Sequence, residues 1–366
     1  MRMASSVSRM RYNYLGKSGL KVSNICLGTL TFGENKFGRP GQCDENLSHQ
    51  ILDRFVECGG NYIDTSDNYQ DGMSETYVGS WLQARQNRDN MVVATKCRFN
   101  TKPGDPNGVG LGRKHILWSV EQSLKRLQTD YIDLYQIHIW DKATPIQETL
   151  RTMDDLVRSG KVRYIGASNL TGWQMQKIVY ECKIMGLHPL VSIQAQYSLL
   201  CRGVELEVVD VCRNEGIALL PWSPLKGGWL TGKAKKGMPP PSGSRMAFVE
   251  SDRRREYESH PSFSTFGNNE QVLNLIEHME NIAKNCGKSV AQVALRWLLQ
   301  KDAVASVVIG AKTIQQLDDN MGASSGWELT DQQMTELDEL SETEEPYPYY
   351  MINRCNRDRI RSSWCS

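Results

Sequence analysis

The stretch RKHILWSVEQSLKRLQTDYIDLYQIH (residues 113–138) changes its period halfway. Residues 113–127 place apolar side chains at helical spacing. Residues 131–138, YIDLYQIH, form a short and nearly continuous apolar run that stops at His138. A strand buried on both faces of a parallel sheet has that character. The same succession recurs on either side. Strand-like runs are SNICLG (23–28), NYID (61–64), MVVATK (91–96), VRYIGAS (162–168), LVSIQA (190–195), IALLPW (217–222) and ASVVIG (305–310). Helix-like segments separate them. In DENLSHQILDRFVECGG (44–60), Leu47, Ile51, Leu52 and Phe55 share a face, Asp44 is a candidate cap and Gly59 a stop. Eight strands, each followed by a helix, predict an α/β fold of the (β/α)8 TIM-barrel type. An open doubly wound sheet competes, but the count of eight and the 366-residue length favour the barrel.

The barrel is expected over residues 12–342. YLGKSGLKVS (14–23), with Gly16 and Gly19 as turn residues, predicts an N-terminal hairpin across its bottom. Two connections exceed ordinary length: 97–112 after the third strand and 223–268 after the seventh. Loops in those positions build active sites in such barrels. The tail 343–366 is aromatic and basic, and is expected to fold over the barrel mouth.

Composition excludes several classes. A formal net charge of +1 gives no electrostatic case for nucleic acid or for an anionic membrane. No apolar run reaches the length of a membrane span, and the N-terminus does not read as a signal peptide. The ten cysteines are scattered, with no C-x-x-C pair and no zinc-ligand spacing. They read as free thiols of a cytoplasmic protein, and no metal site is expected. Nothing in the pattern assigns an oligomeric state.

The strand ends carry the chemistry. Strand two stops at Asp64, strand three at Lys96 and strand four at His138, with Tyr69 just beyond strand two. In a barrel all four face one mouth. A phenol is a weak acid, with a pKa near ~10. A neighbouring ammonium stabilises the phenolate and makes the tyrosine a better general acid. Asp64 holds the lysine charged and in place, and His138 is suited to bond a substrate oxygen or to pass a proton. The set fits carbonyl reduction with a hydride-donating cofactor. Taken singly, each residue has an ordinary structural use; the coincidence at neighbouring strand ends is what counts. Ser74 and Glu75 read as a cap for the following helix.

These motifs resemble the aldo-keto reductase superfamily along almost the whole chain. The matching stretches include LGKSGLKVSNICLGTLTFG (15–33), YIDTSDNYQDGMSETYVG (62–79), SLKRLQTDYIDLYQIH (123–138), GKVRYIGASN (160–169), PWSPLKGGWLTGK (221–233) and VIGAKTIQQLDDN (308–320). The nearest branch contains bacterial aldo-keto reductases and potassium-channel β subunits. His138 favours the first group, because the channel subunits carry asparagine there. The resemblance implies a catalytic tetrad of Asp64, Tyr69, Lys96 and His138, with Tyr69 as proton donor, and NADPH bound extended without a glycine-loop cradle. GVGLGR (108–113) is rejected as such a cradle, since Arg113 replaces the last glycine and no strand precedes it. Implied cofactor contacts are Gly28, Thr29, Leu30 and Asp64; Ser168, Asn169 and Gln194 at the carboxamide; and Trp222 stacked on the nicotinamide. Ser223, Pro224, Leu225, Gly227 and Lys233 lie over the pyrophosphate. Gly310, Lys312, Gln316, Asp319 and Asn320 lie around the adenosine. Lys312 favours NADPH over NADH; Asp319 stands where the family often has Glu.

The expected partner is a small-molecule carbonyl substrate in a pocket of Phe32, Arg98, Phe99, Trp140 and Trp229. Arg98, Lys226 and the basic tail suggest a carboxylated or carbohydrate-derived aldehyde. A regulatory subunit that senses redox state through NADPH and modulates a partner such as an ion channel is the alternative.

Overall fold

A computed structural model describes residues 10–34, 41–235, 237–252, 261, 263–356 and 359. A short antiparallel hairpin, β1 (Tyr12–Tyr14) and β2 (Lys21–Ser23), comes first. Eight parallel strands follow: β3 (Ile25–Gly28), β4 (Tyr62–Asp64), β5 (Val92–Cys97), β6 (Ile132–Ile137), β7 (Val162–Ser168), β8 (Leu190–Gln196), β9 (Ala218–Trp222) and β10 (Val307–Ile309). They pair in chain order, and β10 pairs with β3. The ring closes between β9 and the approach to β10. There Leu219 N–H donates to Ala303 O at 2.9 Å and Ala305 N–H to Leu219 O at 3.0 Å. This is the (β/α)8 barrel expected from the alternation.

Side chains alternate in and out along each strand, and that sorts the core into two regions. Ile63, Val93 and Ile137 face outward onto the helices, where Ile51, Leu52 and Phe55 of the helix Glu45–Glu57 meet them. Asp44 caps that helix by accepting from Leu47 N–H at 2.8 Å. Tyr62, Val92, Ala94, Leu134, Ala218 and Leu220 face inward and fill the barrel with Leu15 and Val22 of the hairpin. The hairpin therefore plugs the bottom. Its turn needs Gly16, at φ 58°, because a Cβ there would lie 2.4 Å from Val191 O.

Following the same alternation upward explains the site. Above Tyr62 comes Asp64; above Ala94, Lys96; above Leu134, Gln136 and then His138; above Ser192, Gln194. The interior turns from apolar to ionised within one inward step. Asp64, Lys96, Gln136 and Gln194 are all buried.

The long connections have structure of their own. In 97–112 the Asp141 carboxylate accepts Leu111 N–H at 2.8 Å, and Glu148 accepts Arg113 N–H at 2.8 Å. Protein carboxylates thus occupy the GVGLGR turn, in keeping with its rejection as a phosphate cradle. The loop after β9 contains the short helices Arg245–Ser251 and Phe263–Phe266. In the tail, the helix Tyr349–Cys355 is fixed at its start by Tyr349 OH donating to Glu207 Oε1 at 2.6 Å, beside the loop after β8. Residues 357, 358 and 360–366, part of the tail expected over the mouth, lie outside the described residues.

Candidate active site

At the top of β5, the Lys96 ammonium is fully buried and has three acceptors. It donates to Asp64 Oδ2 at 2.6 Å, to Thr65 O at 2.8 Å and to Tyr69 OH at 3.1 Å. Burial alone would push this ammonium down. The Asp64 charge and the Tyr69 oxygen outweigh it, and the pKa of Lys96 is raised. The lysine therefore carries its charge against the tyrosine oxygen at every ordinary pH. The second Asp64 oxygen accepts from Gln194 Nε2 at 2.8 Å and Gln136 Nε2 at 3.1 Å. Four strands thus converge on one carboxylate, which keeps a buried charge fully bonded.

Tyr69 opens a tight turn, Tyr69–Gly72, in which Gln70 and Asp71 both adopt left-handed backbone angles (φ 49° and 56°). Non-glycine residues hold that conformation only under tertiary constraint, and such strain clusters at functional sites. The loop after β3 packs directly on this turn, where a Cβ on Gly33 would meet Gln70 Cβ at 2.6 Å. His138 faces Tyr69 edge-on, with ring centroids 6.0 Å apart. Burial first, then the Lys96 and Arg98 charges, push the imidazole well below its ordinary 6.5, so it is neutral. Ser66 Oγ, 3.1 Å from Nδ1, orients the ring. The four expected residues are therefore brought together.

The helix Met73–Arg85 corrects one expectation. Its cap position is Gly72, with no side-chain cap. Ser74 instead bonds Thr29 O (2.8 Å) and Thr65 Oγ1 (2.9 Å). Glu75 is buried, accepting from Thr95 Oγ1 at 2.5 Å and Arg126 Nε at 2.6 Å. Both fasten the helix to the strands behind the tetrad. Asp67 lies beside them, and burial, then Glu75, push its carboxyl up from 3.8 to about 8.

Beside the tetrad, Asn169 donates to His138 O at 3.0 Å and accepts from Trp222 Nε1 at 3.1 Å. Ser168 Oγ donates to Gln194 O at 2.8 Å. The carboxamide and stacking candidates are thus one bonded group at the tops of β7, β8 and β9. Gly28 and Leu30 are half-buried, whereas Thr29 is fully buried with its hydroxyl engaged by Ser74. Its backbone is engaged as well, the N–H donating to Asp64 O at 2.9 Å and the carbonyl accepting from Ser74 Oγ and Phe32 N–H, so Thr29 braces the site from behind.

From β9 to β10 runs a cleft of about 300 Å³. Ser223, Pro224, Leu225, Gly227 and Lys233 line one wall; Gly310, Lys312, Gln316, Asp319 and Asn320 line the other. The geometry of these walls fits an extended, phosphorylated cofactor. A Cβ at Gly310 would enter open space, and at Gly228 (φ 105°) it would find only Met246 at 4.0 Å. The backbone is bare where the cleft runs past it. Lys312 precedes the helix Ile314–Met321, whose amino-terminal N–H groups and partial positive charge favour an anion. The Asp319 carboxylate accepts from Ser289 Oγ at 3.0 Å, so part of it is engaged within the protein. Thr31, Ser244 and Arg245 also line the cleft and were not foreseen. Arg245 follows the MPPPSGS stretch, where a serine cap before a short apolar run was the available signal.

The pocket expectations divide. Phe99 packs edge-on against His138 at 4.7 Å, and half-buried Trp140 meets Trp173 edge-to-face at 5.6 Å. Arg98 lies beside Phe99. Phe32 and Trp229 do not belong to the pocket. Phe32 is fully buried in the main core, its backbone bridged to Cys43. Trp229 is 1% exposed and stacks on Phe263 at 5.4 Å in a separate small core with Met246, Val272 and Ile276. Each satisfies a local core, so neither is left to face a substrate.

No helix among the described residues is long and apolar enough to cross a membrane. The family model described as the aldo/keto reductase family matches residues 24–342. The oxidoreductase YrpG of Bacillus subtilis, itself described as uncharacterized, is 37% identical over 326 residues, covering 86% of this chain and 91% of its own. Norsolorinic acid reductase of Aspergillus flavus is 31% identical, covering 95% and 85%. The NADP(+) aryl-alcohol dehydrogenase of Phanerodontia chrysosporium is 32% identical, covering 91% and 86%. With its barrel, its strand-end cluster and a family match across nearly its whole length, this chain belongs to the aldo/keto reductase family.

Proposed function

We propose that the protein is an NADPH-dependent reductase of aldehydes and ketones, with Asp64, Tyr69, Lys96 and His138 as its catalytic tetrad. One observation carries the reading: a fully buried lysine bridges a carboxylate and the hydroxyl of a half-buried tyrosine. That arrangement stabilises a phenolate, which is what a tyrosine needs to release its proton at neutral pH. Tyr69 donates a proton to the substrate oxygen as negative charge builds there. The neutral His138 holds that oxygen in place. Asp64 keeps Lys96 charged, and Gln136 and Gln194 keep Asp64 in position. NADPH, when bound, supplies the hydride. Ser168, Asn169, Gln194 and Trp222 would hold its nicotinamide end, and the β9–β10 cleft its phosphates and adenosine, with Lys312 at the 2′-phosphate.

The names of the relatives, an NADP(+) aryl-alcohol dehydrogenase and a norsolorinic acid reductase, are consistent with carbonyl chemistry. The aromatic wall of Phe99 and Trp140 suits a ring-bearing substrate. The test is NADPH oxidation, followed by absorbance, across a panel of aldehydes. Turnover is expected, and Tyr69→Phe should lower kcat at least ~100-fold while still binding NADPH. NADPH binding without turnover on any aldehyde would instead favour the redox-sensing subunit.

A further inference from the structure

We propose that Arg98 forms an anion subsite that selects carbonyl substrates bearing a carboxylate on the side away from the reacting group. The proposal rests on the reductase reading and names the substrate class for that same site.

Arg98 follows Cys97, the last residue of β5, and so stands two residues beyond Lys96. Among the described residues its guanidinium has no hydrogen bond or ion pair, and its Nε is buried without a partner. An arginine has five N–H donors and no way to neutralise itself, so a partly buried one without an acceptor is costly unless a ligand supplies it. The nearby carboxylate of Asp141 does not fill the role. Its oxygens accept from Leu111 N–H (2.8 Å), Ala143 N–H (3.0 Å) and Thr144 Oγ1 (2.7 Å), and it forms no ion pair with Arg98.

Geometry places the guanidinium close to the chemistry. Arg98 Cζ lies 5.6 Å from the Phe99 ring centroid, and the same ring packs against His138 at 4.7 Å. One aromatic side chain therefore separates the guanidinium from the imidazole. The Arg98 charge is close enough to His138 to help keep it neutral. A substrate whose carbonyl oxygen reaches Tyr69 and His138 would lay its body along Phe99 and end beside Arg98. A carboxylate at that end meets a fork of N–H donors suited to bidentate bonding. A neutral carboxamide of the same shape offers one acceptor oxygen and no charge, so the fork is only partly met.

The probes are 4-formylbenzoate and its neutral analogue 4-formylbenzamide, with wild type, Arg98→Met and Arg98→Lys. For wild type, kcat/KM should favour the carboxylate by about ten- to a hundredfold, mostly through KM. In Arg98→Met the ratio should fall to near one. Arg98→Lys should keep part of it, since a point charge remains but the fork does not. Isothermal titration of the protein with 4-formylbenzoate should show the same ranking without turnover. Equal efficiency for the two aldehydes in wild type overturns the subsite and leaves the reductase reading standing. So does a ratio that Arg98→Met does not change. Failure to reduce either aldehyde, together with no turnover across the aldehyde panel, refutes the reductase reading; the titration then decides the subsite alone.

Discussion

Asp67 offers a sharp test of the interior behind the tetrad. It is 2% exposed, and its Oδ2 has no hydrogen-bond partner. Burial, then the charge of Glu75, raise its carboxyl from 3.8 to about 8. At neutral pH the folded chain holds a proton on Asp67 that the unfolded chain has lost. The folded pKa is raised, so the associated stability is complete below 3.8 and is lost as pH climbs toward 8. Each pH unit in that window costs about 1.4 kcal/mol, which makes about 4 kcal/mol at pH 7. Asp67→Asn cannot ionise and escapes this loss. It leaves an extra buried N–H unpaired, at about 1–3 kcal/mol. The variant should therefore be more stable than wild type by about 2 kcal/mol at pH 7, with the advantage vanishing near pH 5. Urea unfolding of both proteins from pH 5 to 8.5 measures this directly. A difference that does not change with pH, or a variant less stable throughout, would refute the reasoning.

Two further predictions concern the site. His138 is neutral throughout, so kcat/KM should show no ionisation belonging to this residue between pH 6 and 8; an inflection near 6.5 that disappears in His138→Gln would contradict it. Lys312→Met should raise the KM for NADPH about tenfold and leave that for NADH within about twofold, because only the extra phosphate needs the charge; an equal loss for both cofactors would place Lys312 elsewhere.

Much of the fold was legible because strand ends announce themselves. An apolar run that stops at Asp64, Lys96 or His138 states both the strand and its top. Since all barrel strands run one way, those residues were bound to meet. Less legible were the residues that hold them. Gln136 sits two places before His138 inside an apolar run, and nothing local distinguishes an inward glutamine from an outward one. Ser74 and Glu75 follow a turn and look like caps; the left-handed Gly72 moves the helix start and turns them inward instead. Phe32 and Trp229 failed for a related reason. Hydrophobicity shows that a side chain wants burial, not which of several apolar surroundings it will enter. Within the long loop after β9, Phe263 and Phe266 made a local core that Trp229 joined.

The closure of the barrel has a mechanical consequence. Neighbouring strands elsewhere in the ring share registers of two to five residues, whereas β9 meets the β10 segment through Leu219 alone among the described residues. The cleft walls hang from the ends of those two strands. Whatever fills the cleft therefore spans the slimmest joint of the ring and acts as a clasp across it. Occupancy and the integrity of the barrel are tied at that seam, so the scaffold tightens most where it takes hold of its ligand.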